Sequence, residues 1–390
     1  MLERYITKRL LEELTFFPVV AIVGPRQVGK TTLAHQLEVL LNRPTLFLDL
    51  QEPQTQKIFE NDDITFLKAH SDKTIIIDEI QIRPQLFSVL RPLIDQDRRP
   101  GRFILLSSSS STLMRHAAES LAGRIHYAEL SPFSLLEAKT IANQKEHWVL
   151  GGFPEALKAK GTRFSQLWLG NYIRDFIYRD LRLLGYDLSV EGISRLFYML
   201  ASNQSNLLNI SDLSRSLNLS RPTLMRHIEI LEQAFLISRL QPYSVNISKR
   251  LVKSPKIYIR DTGILHKLLE IRDYEHLLTH ISLGASWEGY VIEQIKKVAV
   301  PEWRFFFYRT QVGAEADLFA ITPTGKRVAI EIKHALAPSI SKGYYESIKD
   351  LQSDYSYVII PEGISYVTKD NITVMPLELF LTQEIPILEN

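Results

Sequence analysis

The stretch that decides the fold of this chain is Val19-Val-Ala-Ile-Val-Gly-Pro-Arg-Gln-Val-Gly-Lys-Thr31. Its first five residues are apolar and mostly β-branched, which favours a buried strand. The following residues have the spacing Gly24-x-x-x-x-Gly29-Lys30-Thr31, and an apolar-periodic stretch continues through Leu41. A strand, a glycine-containing loop and a helix in this order are typical of a loop that binds the phosphates of a nucleotide.

The residue types in this loop have separate chemical tasks. Gly24 and Gly29 let bare backbone N–H groups curl around a phosphate, and the N-terminus of the following helix adds partial positive charge. Lys30 is predicted to reach the β- and γ-phosphates of ATP, and the Thr31 hydroxyl is predicted to bind Mg²⁺. The loop residues predicted to hold the nucleotide are Gly24, Pro25, Arg26, Gln27, Val28, Gly29, Lys30, Thr31 and Thr32.

An acidic signature follows a second apolar run, at Thr74-Ile-Ile-Ile-Asp78-Glu79. Ligands gather at the carboxyl ends of parallel strands that are buried on both faces. We therefore expect Asp78 to hold the water shell of Mg²⁺ and Glu79 to polarise the water that attacks ATP. The alternative is a pair of solvated acids that merely follows a core strand.

Two more apolar runs end in polar residues, at 45–49 and 102–107. Because strands alternate with helical segments, the sequence predicts an α/β fold with a parallel sheet and helices on both faces. A polar residue at the end of the strand after the Asp-Glu strand can hydrogen-bond the γ-phosphate or the lytic water. Ser107 and Ser108 are the candidates for this task.

Composition limits the class of protein. The 390 residues suffice for two or three domains, and 45% hydrophobic with 23% charged residues is ordinary for a water-soluble chain. The absence of cysteine excludes disulfides, a thiolate nucleophile and cysteine-ligated zinc. A charge-rich start and the lack of a long apolar stretch predict a cytoplasmic protein without membrane contact. The net charge of +2 is too small to indicate a nucleic-acid partner by itself.

A different pattern begins after Leu208. Ser211 is predicted to start a short helix, Asn218 and Leu219 to form a turn, and Ser220 to cap a second helix. Two later strand patterns would supply the wing of a winged helix-turn-helix. The side chains expected to face DNA are Arg221, Thr223, Arg226 and His227 on the second helix, with Lys249, Arg250 and Lys253 on the wing. Winged helices also dock proteins, so a protein partner is the alternative.

The last part of the chain combines an acidic helix with a predicted hairpin. Glu288 lies on the helix and Asp317 on the first strand. Glu331 and Lys333 lie on the second strand, where residues two apart share a face. Carboxylates can hold Mg²⁺ or Mn²⁺, with Glu288, Asp317 and Glu331 as the ligands, and Lys333 can stabilise the developing charge of phosphodiester hydrolysis. The alternative is a charged, solvated side of an edge hairpin.

Several of these motifs together resemble the AAA+ superfamily: the loop at 24–31, the Asp78-Glu79 strand end, the serine-terminated strand and the helix end Leu121-Ala-Gly-Arg124. Gly151-Gly-Phe-Pro-Glu155 and Glu331-Ile-Lys333 extend the likeness to predicted prokaryotic ATPases. In those proteins an AAA+ module precedes a long C-terminal domain of unknown function. The resemblance covers nearly the whole chain.

The AAA+ resemblance also implies a role for Arg124. An arginine at this place reaches the γ-phosphate of a neighbouring subunit, which would make the active ATPase a ring or a dimer. Arg115 and Arg98 are substitutes for the same task. The alternative is that Arg124 caps the C-terminus of a helix.

The ordered set Glu288, Asp317 and Glu331-x-Lys333 resembles the PD-(D/E)xK nuclease superfamily, with Ala316 in place of the proline of that motif. This resemblance implies a restriction-endonuclease-like α/β fold. Four parts are thus predicted: an ATPase domain at 1–150, a helical linker at 151–205, a winged helix at 206–275 and the nuclease-like domain at 276–390.

These parts predict an ATPase that uses Mg²⁺ and ATP to work on DNA, with branched, broken or invading DNA as substrates. Two alternatives remain open. One is a nucleotide switch that regulates a protein partner, with a nuclease-like fold that only binds. The other is a signalling or defence sensor in which ATP hydrolysis is a slow timer.

Overall fold

A computed structural model describes residues 2–109, 120–181, 189–244 and 251–390. The chain divides into two compact units, each built from separate segments. The first unit comprises Met1–Phe133, Arg179–Asp187 and Gln233–Phe235. The second comprises Ser134–Tyr178, Leu188–Glu232 and Leu236–Asn390. The first unit has one sheet, and the second unit has two sheets and apolar clusters of its own.

The first unit contains a five-stranded sheet of order β2-β3-β4-β1-β5. All of its pairings are parallel. The strands are β1 (Val19–Val23), β2 (Thr45–Asp49), β3 (Thr74–Asp78), β4 (Phe103–Ser107) and β5 (Ile125–Glu129). Every residue of β1, β3 and β4 is buried, which explains their unbroken apolar runs. The predicted α/β fold with a parallel sheet is confirmed.

Helices flank this sheet. They are Ile6–Glu13, Lys30–Leu40, Pro53–Asn61, Asp63–Ala69 and Leu86–Gln96, with a 3-10 turn at Ile80–Ile82. Val19 and Ala21 of β1 lie in a core with Leu90, while the alternate residues Val20 and Ile22 are equally buried. Because successive side chains of a strand point to opposite faces, both faces of the sheet are covered.

The first segment of this unit ends at Phe133, earlier than the predicted domain boundary at 150. The physical reason is that the two helices in this interval belong to the other core. Leu135 and Trp148 pack in the apolar cluster of the second unit. The other predicted domain boundaries, at 205 and 275, stay predictions.

The second unit contains two sheets. A short antiparallel pair is formed by β6 (Ile237–Leu240) and β7 (Lys256–Ile259). A six-stranded mixed sheet has the order β12-β13-β11-β10-β9-β8. Its strands are β8 (Arg304–Arg309), β9 (Glu315–Ile321), β10 (Arg327–Ile332), β11 (Tyr355–Ile360), β12 (Tyr366–Val367) and β13 (Thr373–Pro376). The predicted hairpin is β9 paired antiparallel with β10.

The mixed sheet is buried on both faces. Leu318 and Ala320 of β9 lie in a core with Trp287 of the helix Leu283–Val298. The intervening Phe319 lies in a different core with Tyr344. The strand alternation therefore directs side chains into two separate apolar layers.

The other helical segments from residue 134 onward complete the described chain. They are Leu135–Ala138, Gln144–Leu150, Pro154–Lys158, Thr162–Asp175, Val190–Ser202, Ile210–Leu217, Arg221–Gln233, Thr262–Leu268, Tyr274–Thr279, Lys342–Leu351, Leu377–Leu379 and Ile385–Glu389, with π-helical turns at Phe176–Asp180 and Phe380–Glu384. Within the described ranges, no helix combines the length and apolarity needed to cross a membrane.

The Gly151-Gly152 breaker is explained by a buried carboxylate. Asp261 is 4% exposed, caps the helix Thr262–Leu268 by accepting a hydrogen bond from Ile264 N, and accepts another from Gly152 N at 2.7 Å. A Cβ at Gly263 would lie 2.1 Å from the Leu150 carbonyl oxygen. The close approach of these two backbone segments therefore depends on glycine.

We predict that Gly263→Ala destabilises the second unit by about 1–3 kcal/mol, because the added methyl group must displace backbone atoms. Gly284→Ala is the matched control. Both glycines are the second residue of a helix, but a Cβ at Gly284 meets nothing within 4 Å. Urea unfolding should show a lower midpoint for Gly263→Ala and an unchanged or higher midpoint for Gly284→Ala. Equal midpoints for the two variants would contradict this account.

Candidate functional site

The phosphate-binding loop leaves the sheet at the end of β1. Gly24 packs so closely against the residue that follows β5 that a Cβ there would lie 2.2 Å from the Leu130 carbonyl oxygen. Gly29 has φ +94°, a left-handed conformation that L side chains rarely adopt, and it directly precedes the helix Lys30–Leu40. These two positions explain the glycine spacing that the sequence shows.

Two arginine contacts hold the loop to residues outside it. Arg4 is buried and donates a hydrogen bond to the Val28 carbonyl at 2.9 Å. Arg26 forms an ion pair with Asp180, which is 3% exposed and also accepts a hydrogen bond from Arg179 Nε at 3.0 Å. The loop is thus fixed by contacts to residues far away in the chain.

Lys30 is the buried cation of the site. Its side chain is 6% exposed, and the ammonium donates to the carbonyl oxygens of Gly24 at 3.0 Å and Pro25 at 2.9 Å. Burial lowers the pKa of Lys30 to about 8, against the attraction of Glu79 and Asp78. A buried ammonium held by neutral carbonyls gains strongly from an anionic partner, which a triphosphate supplies.

The predicted Mg²⁺ donors are in contact. Thr31 Oγ1 donates to Asp78 Oδ2 at 2.6 Å, and Asp78 Oδ1 accepts from the backbone N–H of Glu79 at 2.8 Å. Burial raises the pKa of the Asp78 carboxyl. Hydroxyl and carboxylate oxygens are the ligand types that Mg²⁺ prefers, so this donor pair fits the ion that accompanies ATP.

Polar side chains hold Glu79 at the end of β3. Ser108 Oγ donates to Glu79 Oε2 at 3.0 Å, and the Gln81 amide donates to the same oxygen. Of the two serines considered from the sequence, Ser108 is therefore the one beside the acid. Ser107 is fully buried, and its hydroxyl donates to the Ser109 carbonyl at 2.9 Å. The Ser107 hydroxyl is thus used in a local turn, and its predicted contact with nucleotide stays a prediction.

A cavity of about 640 Å³ opens beside the loop. Its lining residues are Arg26, Gln27, Gln51, Gln56, Glu79, Gln81, Ile82 and Arg179. Sequence reasoning missed Gln51, Gln56, Gln81 and Arg179. Gln81 could have been identified from the sequence, since it lies two residues after Glu79. Arg179 could not, because it is far from the loop and the acids in the sequence.

Arg124 has a carboxylate partner in its own subunit. Its guanidinium donates from Nε to Asp95 at 2.7 Å and from a terminal nitrogen to the same carboxylate at 3.0 Å. It also donates to the Ala122 carbonyl at 3.0 Å. Arg98 is exposed and lies 3.7 Å from Asp95, while Arg115 falls outside the described residues. Action of Arg124 in a neighbouring subunit stays a prediction.

The second unit presents part of the predicted DNA-facing surface. The helices Ile210–Leu217 and Arg221–Gln233 are joined by a turn at Asn218, which has φ +53°. Four of the predicted residues are exposed: Arg221, Thr223, Arg226 and Lys253. His227 is 3% exposed, so its predicted place on this surface is wrong. Lys249 and Arg250 fall outside the described residues.

The buried face of the second helix explains the position of His227. Leu224, Ile228 and Leu231 are buried at spacings of four and three residues, and position 227 lies on the same stripe. Burial lowers the pKa of His227, with a further contribution from Arg226. The ring is therefore a core side chain with no access to a phosphate.

The predicted nuclease-like residues lie together, but a lysine lies among them. Lys256 Nζ is 3.0 Å from Glu288 Oε1, 3.2 Å from Glu315 Oε1 and 3.7 Å from Asp317 Oδ1. Lys333 Nζ is 2.7 Å from Glu331 Oε1. Sequence reasoning missed Lys256 and Glu315. In the parts of the chain that the structure describes, no group of three or more histidine, cysteine, aspartate or glutamate side chains could hold a metal ion.

The pKa values in this cluster are shifted by burial and by the charges of neighbouring groups. Burial opposes the charge of Lys256, but attraction by Glu288, Asp317 and Glu315 outweighs it and raises the pKa of the ammonium. Burial raises the pKa of the Glu288 carboxyl against the attraction of Lys256. Burial and repulsion by Asp317 raise the pKa of Glu331. The donor set that was predicted to hold Mg²⁺ or Mn²⁺ thus faces an internal cation and does not fit the metal.

The first unit and its site define a P-loop ATPase of the AAA type. The phosphate loop after β1 and the acids after β3 meet at one edge of a parallel sheet, where nucleotides bind in such folds. Residues 17–139 match a family model described as an AAA domain.

Other comparisons cover the rest of the chain. Residues 141–275 and 283–380 match two domains of unknown function, DUF8612 and DUF4143. The chain is 37% identical over 374 residues to the uncharacterized protein Rv2008c of Mycobacterium tuberculosis, with 96% of this chain and 83% of that protein covered. It therefore belongs to the same family as this relative, that of AAA ATPases with a C-terminal domain of unknown function.

More distant similarities extend to archaea. An uncharacterized protein of Methanocaldococcus jannaschii is 22% identical over 418 residues, with 93% of this chain and 84% of that protein covered. Among solved structures, a Walker-type ATPase of Pyrococcus abyssi has a TM-score of 0.49 and 16% identity, with 69% of this chain and 96% of that chain covered.

We predict that Glu79→Gln lowers the rate of ATP hydrolysis by about 10²–10⁴-fold, because the amide keeps the shape of the side chain but cannot accept a proton from water. Nucleotide affinity should stay near that of the wild type. Phosphate release and nucleotide titration measure the two effects. Glu155→Gln, at an exposed acid, is the control with normal turnover. Normal turnover in Glu79→Gln would assign the role to another residue.

Proposed function

We propose that this protein uses the hydrolysis of Mg²⁺-bound ATP to do work on DNA, such as binding, remodelling or translocation. The observation that carries the proposal is the accessible pair Arg221 and Arg226 on the second helix of the helix-turn-helix. It occurs in a chain whose other unit has the loop and acids of an ATPase. Branched, broken or invading DNA are the proposed substrates, and the cytoplasm the proposed location.

In the ATPase site each residue has a proposed task. Lys30 would exchange its carbonyl partners for the β- and γ-phosphate oxygens. Thr31 and Asp78 would hold Mg²⁺, which neutralises charge on those oxygens. Glu79 would take a proton from the attacking water, and Ser108 and Gln81 would orient its carboxylate. The remaining loop residues, Gln27 and Thr32 among them, would contact the nucleotide.

Exposure and charge support the DNA contact. Arg221 donates a hydrogen bond to Ser211 and stays exposed, and Thr223 N–H is capped by Ser220 Oγ at 3.3 Å. The N-terminal residues of the second helix are the ones that contact base edges in helix-turn-helix proteins. Lys253 is exposed and suited to a phosphate.

The position of Lys256 among the acids of the second unit argues against cleavage of the DNA. An ammonium lies where a nuclease of this type would need a divalent cation, and Lys333 is paired with Glu331. The same observation favours the second candidate function, a nucleotide switch whose nuclease-like fold binds a partner without cutting it. Binding and cleavage of a panel of labelled DNA forms are assayed with and without ATP, and ATP hydrolysis is measured with and without each DNA. This distinguishes the two functions, because only the first requires DNA to change ATP turnover.

We predict that neutralising Arg221 and Arg226 weakens DNA binding and flattens its salt dependence by about one log–log unit for each phosphate that is no longer neutralised. Fluorescence anisotropy over a range of salt concentrations measures both quantities. Arg195→Ala, an arginine paired with Glu191 at the surface, is the matched control with an unchanged slope. If the double variant keeps the slope of the parent, the surface is more suited to a protein partner.

We further propose a homo-oligomer in which Arg124 exchanges Asp95 for the γ-phosphate of a neighbouring subunit. We predict that a mixture of Arg124→Ala and Lys30→Ala proteins recovers part of the ATPase activity that each lacks, because each keeps the half-site missing in the other. Phosphate release from the mixture is compared with that of each variant alone. No recovery from variants that assemble like the wild type would leave Arg124 as a partner of Asp95 within its own subunit.

A further inference from the structure

Lys256 is a buried cation whose surroundings consist largely of acids. It is 3% exposed, and its ammonium lies within 4 Å of Glu288, Glu315 and Asp317. The ring of Phe307 lies 5.6 Å from Nζ and adds the negative face of an aromatic side chain. An ammonium at this depth requires such compensation, because an unpaired buried charge is very costly.

The position of Lys256 is set by the alternation of β7. Lys256 and Tyr258 are two residues apart and share one side of the strand. Both contact the same acceptor, since Tyr258 OH donates to Glu288 Oε1 at 2.6 Å and Lys256 Nζ donates to it at 3.0 Å. Lys256 also forms a bridge with Leu207 and pairs with Leu240, so its backbone is held from two sides.

The charges of the cluster are nearly balanced without a metal. Its four carboxylates belong to Glu288, Glu315, Asp317 and Glu331, and the three cations paired with them are Lys256, Lys333 and Arg309. Asp317 Oδ2 is further occupied as the acceptor of Ile332 N–H at 2.9 Å. A divalent cation would have to expel Lys256, which would leave a buried ammonium without partners.

We propose that Lys256 takes the place of the divalent cation in the nuclease-like fold of this protein, which makes the acid cluster of the second unit metal-free. The lysine neutralises the carboxylates and ties β7 to the helix Leu283–Val298 and to β9. This inference does not depend on DNA binding or on ATP hydrolysis. It implies that removal of the ammonium leaves an acid cluster able to accept a divalent cation.

The test measures Mn²⁺ binding to the full chain without nucleotide, by the electron paramagnetic resonance of free Mn²⁺. Lys256→Ala should bind an additional Mn²⁺ that Asp317→Asn in the same chain removes. In the wild type, Asp317→Asn should leave Mn²⁺ binding unchanged. Lys369→Ala, which removes an exposed lysine of the same unit, should behave like the wild type.

Thermal unfolding supplies a second readout that does not require Lys256→Ala to be fully stable. The midpoint for Lys256→Ala should fall by about 5 °C or more and rise again with Mn²⁺, since the metal restores positive charge among the acids. Lys256→Met keeps the length of the side chain and should respond in the same way. Any shift of the wild-type midpoint with Mn²⁺ should be the same in the Asp317→Asn variant.

Three results would overturn the proposal. The first is Mn²⁺ binding by the wild type that is lost in Asp317→Asn. The second is metal-dependent DNA cleavage by the wild type that is lost in the same variant. The third is the absence of any gain in Mn²⁺ binding or thermal midpoint in both Lys256→Ala and Lys256→Met. A failure to bind DNA would count only against the proposed function.

Discussion

The parallel pairing of β1 with β4 on one side and β5 on the other is the constraint on which the nucleotide site depends. Val23 is in register with Ser107 of β4 and Glu129 of β5, so the three strands end at one edge. The phosphate loop therefore begins at an interior strand of the sheet, between β4 and β5. Because β1 is hydrogen-bonded on both sides, a slip of one residue would disturb both pairings at once and would shift the start of the loop relative to the ends of β4 and β5.

Two buried lysines show how differently one residue type is used in the two units. Lys30 is held by carbonyl oxygens, and burial lowers its pKa to about 8. Lys256 is held by carboxylates that raise its pKa despite burial. The first lysine lacks a direct anionic contact among the partners described for it and gains from phosphate, whereas the second already has its counter-charges. The same physical cost of burial thus favours ligand binding at one site and disfavours it at the other.

Local rules predicted the elements whose causes lie within a few residues. The strand and loop at 19–31, the hairpin of β9 and β10 and the cap at Ser220 follow from apolar runs, glycine spacing and side-chain hydrogen bonds. The error at His227 was avoidable, because position 227 falls on the stripe between Leu224 and Leu231. The acid pair Asp78-Glu79 was placed correctly at a strand end, but the choice between Ser107 and Ser108 required the turn itself.

Contacts between distant residues could not be predicted in this way. Arg26 and Asp180 are 154 positions apart, and Lys256 and Glu288 are 32 positions apart. Neither pair has a local pattern, because an ion pair of this kind depends on which elements become neighbours in the fold. The sequence identified the acids of the C-terminal cluster by their likeness to a nuclease motif. It could not show that a strand outside that motif supplies their cation.

The discontinuous first unit has a consequence for how its ATPase can be isolated. Asp180 binds Arg26 of the phosphate loop, and Phe235 packs in the same core as β1, β3 and β4. Both residues come from segments that a fragment ending at 133 or 150 would omit. Such a fragment would keep the loop, Asp78 and Glu79 but would lack the buried acid that pairs with Arg26. Without this partner, Arg26 is free to adopt other positions at the cavity. The nucleotide affinity of the fragment would therefore be that of a loop in a different conformation from the loop of the full chain.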